Sequence, residues 1–309
     1  MSTVAIVMTT YNGVKYVGEQ IDSILTSSYQ DFELFIYDDG SKDDTISILR
    51  SYEQNNPTKV HVIINENNLG VTVNFLQGAS KTTMEYVMFC DQDDVWKPNK
   101  IAITLKRMRH MEVQLGISTP IAVFTDAIVV NQELEILKHS FFCSNHLNPW
   151  KTDLAHILME NKLIGCTVMI NCSLRKLLKN YRLPTNAKFH DWWIALIAAS
   201  MGKIGYVNEG TILYRQHSGN VVGGADFTAY FKNRIASLKL QKEALRALYR
   251  QAEEFLSVYD EILSENSKNT IRRFADLDKN SYIIKRKTLI HYGYLKTGMI
   301  RNIGLIIIV

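Results

Sequence analysis

The sequence lacks long hydrophobic runs, paired cysteines and a strong excess of either charge. No apolar run reaches the roughly 18 residues that a membrane-spanning helix needs, and no basic leader precedes the first apolar segment, so we expect neither a transmembrane helix nor a signal peptide. The four cysteines include no CxxC pair, which disfavours a zinc site and fits free thiols in a reducing compartment. These absences predict a cytoplasmic protein.

The charge balance argues against a nucleic-acid-binding protein, and the glycine pattern excludes the glycine-rich nucleotide-binding motifs. The chain has 35 Lys and Arg residues against 31 Asp and Glu, and its net charge of +4 is too small to indicate a nucleic-acid partner. Neither a P-loop nor a GxGxxG sequence occurs, so a bound nucleotide cannot rest on a glycine-rich phosphate cradle. The 309 residues, 46% of them hydrophobic, suit one large globular domain with an appendage.

Short apolar runs alternate with helical spacing in the first third of the chain. Four runs have the length and composition of buried parallel strands: Val4–Thr9, Phe32–Tyr37, Val60–Ile64 and Tyr86–Cys90. Alternation of strands and helices with short connections is typical of a parallel sheet covered by helices. We therefore predict an α/β fold with a Rossmann-like, mixed and mainly parallel sheet.

The pattern is less regular further along. A helix is predicted from His190 to Met201, and from about Ala225 the spacing becomes helical and stays so. Four short strands are also predicted: Ile121–Phe124, Ala127–Val130, Ile204–Tyr206 and Thr211–Tyr214. The change near Ala225 predicts a domain of residues 1–224 followed by a helical, basic region of residues 225–309.

Acidic residues come directly after two of the predicted strands. Asp38 and Asp39 follow the second strand, and Asp91 and Asp93 follow the fourth. The carboxyl ends of parallel strands share one edge of a sheet, where ligands bind. Crowded carboxylates resist ionisation unless a cation lies among them, and oxygen ligands suit a hard divalent ion. The sequence therefore predicts a metal at this edge, with a solvated acidic loop as the alternative.

Two details bear on what this edge binds. An EF-hand is excluded, because the sixth and twelfth positions counted from Asp91 hold Trp96 and Ala102 instead of Gly and a carboxylate. Asp39 together with Tyr11 would give a nucleotide base or a sugar an acceptor and a flat surface. A strand-to-helix turn with a negative cap is the alternative for Asp39.

Two further side chains are candidates for chemistry. Asp191 stands between His190 and two tryptophans at the start of a predicted helix. Desolvation by aromatic rings raises the pKa of a carboxyl group, which suits a general base; helix capping is the alternative. His217 is a candidate third metal ligand, since neutral imidazole binds Mn²⁺, or else a polar loop residue.

The C-terminal region is basic and partly apolar. After Thr270, Lys and Arg outnumber Asp and Glu beside several Tyr and Ile residues, and the chain ends in the apolar segment 303–309. This composition fits either a solvated helical face or an interfacial helix on an anionic membrane surface.

Taken together, four motifs in sequence order resemble those of the inverting family 2 glycosyltransferases with the GT-A fold. They are Thr9–Asn12, Asp38–Ser41, Asn68–Gly70 and Cys90–Trp96. The resemblance covers about residues 1–220. Later motifs are similar to the rhamnosyltransferases of Gram-positive rhamnose cell-wall polysaccharide synthesis: Gly165–Thr167, His190–Trp193 and the segment 214–220.

The resemblance implies a role for each matching residue. Asp191 would be the catalytic base. A metal, Mn²⁺ or Mg²⁺, would be held by Asp93, Asp91 and His217. The acceptor side would be shaped by Gly165, Cys166, Thr167 and Trp192. The nucleotide sugar would be bound by Thr9, Tyr11, Asp38, Asp39, Asn68, Gly70, Asp91 and Gln92.

The implied activity is metal-dependent transfer of L-rhamnose from dTDP-β-L-rhamnose to a lipid-linked saccharide, at the inner face of the cell membrane. Two alternatives stay open: a sugar nucleotidyltransferase, and a non-catalytic scaffold that binds nucleotide sugars in an envelope complex. The first usually carries a Gly-rich loop with Arg or Lys near the first strand, where this chain has Thr9–Gly13. The sequence also leaves open whether the chain forms a homo-oligomer.

Overall fold

The computed structural model describes residues 3–217 and 238–309. Its first part alternates strands and helices, as the sequence predicts. The elements are β1 (Val4–Thr10), α1 (Val17–Leu25), β2 (Phe32–Asp38), α2 (Thr45–Asn55), β3 (Val60–Ile64), α3 (Val71–Lys81), β4 (Tyr86–Cys90), β5 (Val95–Trp96) and α4 (Lys100–Leu115). The four predicted strands of this part are confirmed, and β1 and β2 each end one residue later than predicted.

The remaining elements fall into two groups. Up to residue 217 they are β6 (Ile121–Val130), β7 (Ile136–Lys138), α5 (Phe141–Ser144), α6 (Leu154–Met159), β8 (Met169–Asn171), α7 (Cys172–Asn180), α8 (His190–Met201) and β9 (Lys203–Arg215). From residue 238 they are α9 (Leu238–Tyr259), α10 (Glu265–Ala275), α11 (Tyr282–Tyr292) and α12 (Met299–Ile308). The predicted helix from His190 is confirmed. The helix start near Ala225 and the boundary at 224/225 lie outside the described residues.

The described strands form one sheet in the order β3-β2-β1-β4-β8-β6-β9-β5, with β7 beside β6. The first four strands pair in parallel, whereas β8 runs antiparallel between β4 and β6. Thr10 lies opposite Asp38, and Met8 lies opposite Cys90. Strands β1, β2 and β4 therefore end at one edge, and the predicted fold class is confirmed.

Strands β6 and β9 are each continuous, so the prediction of two short strands in each place was wrong. The pairing of β6 with β9 shifts register on both sides of Asp126. The polar residue is therefore accommodated as an irregularity within the strand and does not end it. Asp126 is buried, and its carboxylate accepts hydrogen bonds from the N–H groups of Ala127 at 2.8 Å and Phe141 at 3.0 Å. Because α5 supplies a partner, a buried carboxylate can remain inside the strand.

The helices after residue 238 pack on the same hydrophobic core as the sheet. The ring of Trp193 in α8 lies 5.1 Å from Phe255 and 6.1 Å from Tyr259 of α9. Tyr294 and Leu305 are also buried. None of the described helices is both long enough and apolar enough to cross a membrane.

Candidate active site

A cleft of about 590 Å³ opens at the edge where β1, β2 and β4 end. Its second wall comes from residues 161–166 and the start of α8. The predicted site residues in the lining are Thr9, Tyr11, Asp39, Asn68, Gly70, Asp91, Gln92, Asp93, Gly165, Cys166, Asp191 and Trp192. The fold therefore brings most of the predicted donor, metal, acceptor and base residues into one hollow.

Asp38 supports the turn after β2 from within. It is fully buried, and its carboxylate accepts hydrogen bonds from the Thr10 hydroxyl at 2.8 Å and the Ser41 N–H at 2.8 Å. The Ser41 hydroxyl donates a further bond at 2.6 Å. Gly40 has a φ of 83°, a left-handed conformation that glycine adopts without strain. The oxygens of Asp38 are thus committed to the turn, and the residue does not line the cleft.

Asp39 holds the loop after β3 against the turn after β2. Its carboxylate accepts hydrogen bonds from the N–H groups of Leu69 and Gly70, both at 2.8 Å, and from Asn65 Nδ2 at 3.0 Å. Asn68 Nδ2 donates to the Asp39 carbonyl oxygen at 3.0 Å. A carboxylate has about four acceptor positions, so Asp39 keeps acceptor capacity for a ligand in the cleft.

Gln92 positions the end of β1. Its side-chain oxygen accepts from the Tyr11 N–H at 2.9 Å, and its Nε2 donates to the Tyr11 carbonyl at 3.1 Å. A Cβ on Gly13 would lie 2.3 Å from the Gln92 side-chain oxygen, so any larger residue there would displace the Gln92 amide. The Tyr11 side chain remains 49% exposed on the cleft wall, where its ring is free to stack on a planar group.

Three carboxylates crowd the segment after β4. The Asp93 carboxylate is paired with His217 Nε2 at 2.8 Å. Burial, then the charges of Asp93 and Asp191, raises the pKa of Asp91 to about 7. Asp94, which the prediction left out, is buried and accepts from the Arg215 N–H at 3.1 Å.

The donor atoms of this segment fit a hard divalent cation. Ligand atoms of Asp91, Asp94 and Cys166 lie within 4.8 Å of one another. Of the three predicted ligands, only Asp91 belongs to this group, whereas Asp93 and His217 are paired with each other. Burial raises the pKa of the Cys166 thiol well above its usual range, so this sulfur stays protonated and is a poor ligand for a soft metal. Carboxylate oxygens are what Mn²⁺ and Mg²⁺ bind, so the residues fit the predicted ion.

Asp191 lies in the first turn of α8, on the far wall of the cleft. Burial raises its pKa to about 7, against hydrogen bonds from the Trp192 N–H and the Asn161 side chain that favour the charged form. Its Oδ1 has no hydrogen-bond partner among the described residues. Phe189 is the N-cap residue and its side chain makes no capping hydrogen bond. Because the Asp191 carboxylate accepts from the Trp192 N–H in the first turn, helix capping stays an alternative for this residue.

Gly165 allows the two segments of the second wall to lie close together. A Cβ at this position would lie 2.7 Å from His190 Cε1 and 3.6 Å from Asp191 Oδ2. The His190 ring packs 4.1 Å from Phe75, and burial lowers its pKa to about 3, so the ring stays neutral. Thr167 does not line the cleft; it is buried, and its hydroxyl donates to the Ile164 carbonyl at 2.8 Å.

Several lining residues were missed by sequence reasoning: Asn161, Lys162, His190 and Tyr214. Lys162 is buried, pairs with Glu160 and donates to the Thr297 hydroxyl at 2.7 Å. Glu160 also pairs with Arg301 at 2.7 Å. No local pattern marks Lys162 as a lining residue, because its partner Thr297 lies 135 positions away in the chain.

The first half of the chain establishes the family. Residues 5–169 match the model of Glycosyl transferase family 2. The chain belongs to this family. The resemblance drawn from the strand-end motifs is therefore confirmed.

One curated relative and two solved structures are similar to this family 2 glycosyltransferase. It is 26% identical over 238 residues to "dTDP-rhamnosyl transferase RfbG" of Shigella flexneri, covering 73% of this chain and 77% of that protein. Staphylococcus aureus TarS in complex with UDP-GlcNAc superposes with a TM-score of 0.58 at 16% identity, covering 94% of this chain and 80% of that one. The mannosyltransferase PcManGT of Pyrobaculum calidifontis, with GDP-Man and Mn²⁺, gives 0.55 at 15% identity, covering 94% and 73%. These structures share its fold.

Proposed function

We propose that this glycosyltransferase moves L-rhamnose from dTDP-β-L-rhamnose to a lipid-linked saccharide with inversion at the anomeric carbon. The observation that carries the proposal is the shared cleft. Asp91 and Asp93 follow β4, Asp191 lies in the first turn of α8, and all three line the cleft. A sugar donor whose diphosphate faces the first pair would present its anomeric carbon towards the third carboxylate.

The donor would occupy the side built by β1, β2 and β4. The exposed ring of Tyr11 and the remaining acceptor capacity of Asp39 suit a pyrimidine base. Thr9, Asn68 and Gly70 line the same side. The choice of dTDP-rhamnose is supported by the similarity to RfbG, which is named as a dTDP-rhamnosyl transferase.

Asp191 would act as the general base. The acceptor hydroxyl gives its proton to the Asp191 carboxylate while its oxygen bonds to the anomeric carbon. The bond from that carbon to the diphosphate oxygen breaks on the opposite face, so the configuration inverts. With a pKa of about 7, about half of the Asp191 carboxyl groups are ionised at neutral pH, and the ionised form is basic enough to take the proton. Gly165, Cys166 and Trp192 line the cleft beside it, which supports a role in placing the acceptor.

Asp91, Asp93 and His217 would hold Mn²⁺ or Mg²⁺. When bound, the ion would stabilise negative charge on the departing diphosphate as a Lewis acid. Burial, then repulsion from Asp93 and Asp191, raises the pKa of Asp91. This supports the assignment, because a bound cation would stabilise the charged carboxylate against both effects.

Residues 225–309 would form a helical region that rests on an anionic membrane at the inner face of the cell membrane, beside the 1–224 transferase domain. Apolar side chains are exposed on α11 and α12: Tyr282, Ile283, Ile284, Ile290, Tyr292, Met299, Ile300, Ile303 and Ile307. Lys285, Arg286 and Lys287 lie on the same segment. Exposed apolar area beside basic residues favours binding to anionic lipid.

The test incubates the purified full chain and Mn²⁺ with a panel of nucleotide sugars and a lipid-linked saccharide, followed by mass and linkage analysis of the product. We expect one added deoxyhexose with dTDP-rhamnose. Transfer of a different sugar would overturn the donor assignment. Release of pyrophosphate from a nucleoside triphosphate and a sugar phosphate would instead identify a nucleotidyltransferase, and binding without turnover would identify a scaffold.

A further inference from the structure

Glu254 of α9 makes a dense set of contacts to the loop that leads into α8. Its carboxylate accepts hydrogen bonds from the N–H groups of Thr185 at 3.0 Å and Asn186 at 2.6 Å. The Thr185 hydroxyl donates to it at 3.0 Å, and Arg182 pairs with it at 2.7 Å. Glu254 is itself only 7% exposed, so a partly buried carboxylate fastens the loop at several points.

The same helix holds the loop at a second point, closer to the cleft. Gln251, one helical turn before Glu254, accepts from the N–H of Lys188 at 2.8 Å. In addition, α9 contacts α8 itself, because Phe255 packs against Trp193. Loop backbone between residues 185 and 188 is therefore anchored on α9, and Asp191 follows three residues later.

The charge state of Glu254 is set by these donors. Burial alone would raise the pKa of Glu254, but hydrogen bonds from Thr185, Arg182 and Asn186 outweigh it and lower the pKa to about 2. The carboxylate is ionised at every working pH, and each oxygen faces a backbone N–H. An amide in its place would turn an NH₂ group towards one of those N–H donors, leaving both without an acceptor.

We propose that Glu254 is a positioning residue for sugar transfer: through the 182–188 loop, it fixes the place of Asp191 in the cleft. The proposal rests on the proposed function, in which Asp191 is the base. A reacting group must be held to about 0.5 Å, and a misplacement of roughly 1 Å costs on the order of 10²-fold in rate. Among the described residues, the hydrogen bonds and the ion pair of Glu254 go to Arg182, Thr185 and Asn186. None of these residues lines the cleft, so donor affinity should not depend on Glu254.

The test compares Glu254→Gln with Glu253→Gln in the full-length chain. Glu253 is the matched control, because its side chain is 67% exposed on the same helix and contacts only Lys279 among the ion-pair partners described, at 3.7 Å. We expect Glu254→Gln to lower kcat by about 10- to 100-fold with an unchanged donor dissociation constant, and Glu253→Gln to match the wild type. Amide hydrogen exchange at Thr185, Asn186 and Lys188 should accelerate in the first variant only.

A double-mutant cycle with Asp191→Asn shows whether the effect passes through the base. If it does, Glu254→Gln changes kcat by less than about threefold once Asp191 is replaced. An equal loss in both backgrounds, a loss of donor affinity, or wild-type kcat despite faster exchange would overturn the proposal. Full activity of Asp191→Asn alone would instead overturn the proposed function.

Gln251→Met provides a second variant if Glu254→Gln does not fold. It keeps the side-chain volume and removes the side-chain amide, including the oxygen that accepts from the Lys188 N–H. We expect a kcat loss of at least about fivefold with unchanged donor affinity. Wild-type kcat in a folded Gln251→Met protein whose Lys188 amide exchanges faster would contradict the proposal.

Discussion

The two walls of the cleft are built differently. The wall at the ends of β1, β2 and β4 is assembled from strand-end turns whose partners are near neighbours in the sheet, such as Asp38 with Thr10 and Ser41. The opposite wall depends on distant segments: Lys162 bonds to Thr297, and the loop before Asp191 bonds to Glu254. The first wall is therefore a property of the sheet, whereas the second requires the C-terminal helices.

The largest expected effect on donor binding lies on the sheet-built wall. Replacing Asp93 by Ala removes a carboxylate of the proposed metal site and the partner of His217. We expect metal-dependent binding of the nucleotide sugar to fall by more than about 10²-fold, since an unneutralised diphosphate would face the remaining carboxylates. Titration calorimetry with and without Mn²⁺ measures this. Glu66→Ala, an exposed acid on the loop after β3, should bind donor normally; equal affinity in both variants would contradict the assignment.

A change on the helix-supported wall should spare donor binding. In Gly165→Ala, the new Cβ would lie 2.7 Å from His190 Cε1 and close to Asp191, so one of these side chains must move. We expect kcat to fall by about 10- to 100-fold and the donor dissociation constant to stay within twofold. Gly304→Ala, where a Cβ meets nothing within 4 Å, is the control. If donor affinity in Gly165→Ala fell as much as kcat, the two walls would not have separate roles in donor binding and transfer.

The pH dependence of kcat tests the role of Asp191 as the base. Because the base must be ionised and its pKa is about 7, kcat should rise about tenfold per pH unit below 7 and level off above it. A profile that is flat from pH 5.5 to 8 at saturating donor would argue against Asp191 as the base.

The same pKa carries a stability prediction. The folded pKa of Asp191 lies above its ordinary value of 3.8, so the folded state binds more protons between these values and stability falls as pH rises from about 4 to 7. Asp191→Asn removes this penalty. Its melting temperature should exceed that of the wild type at pH 8 and approach it at pH 4. Thermal denaturation at both pH values measures the difference, and a lower melting temperature at pH 8 would contradict it.

The smallest expected effect concerns the exposed face of α11 and α12. Replacing Ile283 and Ile303 together by Glu should weaken flotation with anionic liposomes by roughly tenfold, since each apolar side chain contributes on the order of 1 kcal/mol when it enters the interface. Val113→Glu, on the exposed side of α4, should float like the wild type. Unchanged flotation of the double variant would contradict the proposal that α11 and α12 bind an anionic membrane.

The comparison also explains what the sequence could and could not predict. Strands such as Val60–Ile64 and Tyr86–Cys90 carry their own apolar pattern, so their bounds can be predicted from the local sequence. The same holds for the carboxylates that follow Cys90. The interruption at Asp126 looked like a strand end because its partner, Phe141, is supplied by tertiary structure. Lys162 and Glu254 could not be found, since their roles depend on contacts 135 and about 70 positions away. The sequence also could not show that Asp94 is the buried carboxylate and Asp93 the one that lines the cleft.

The central claim is that Asp191 works across the cleft from the carboxylates that bind the donor. It is tested most directly by measuring kcat and the donor dissociation constant of Asp191→Asn side by side. We predict a kcat loss of about 10²- to 10⁴-fold with donor affinity unchanged. Wild-type turnover, or a loss of donor affinity as large as the loss of turnover, would contradict the claim.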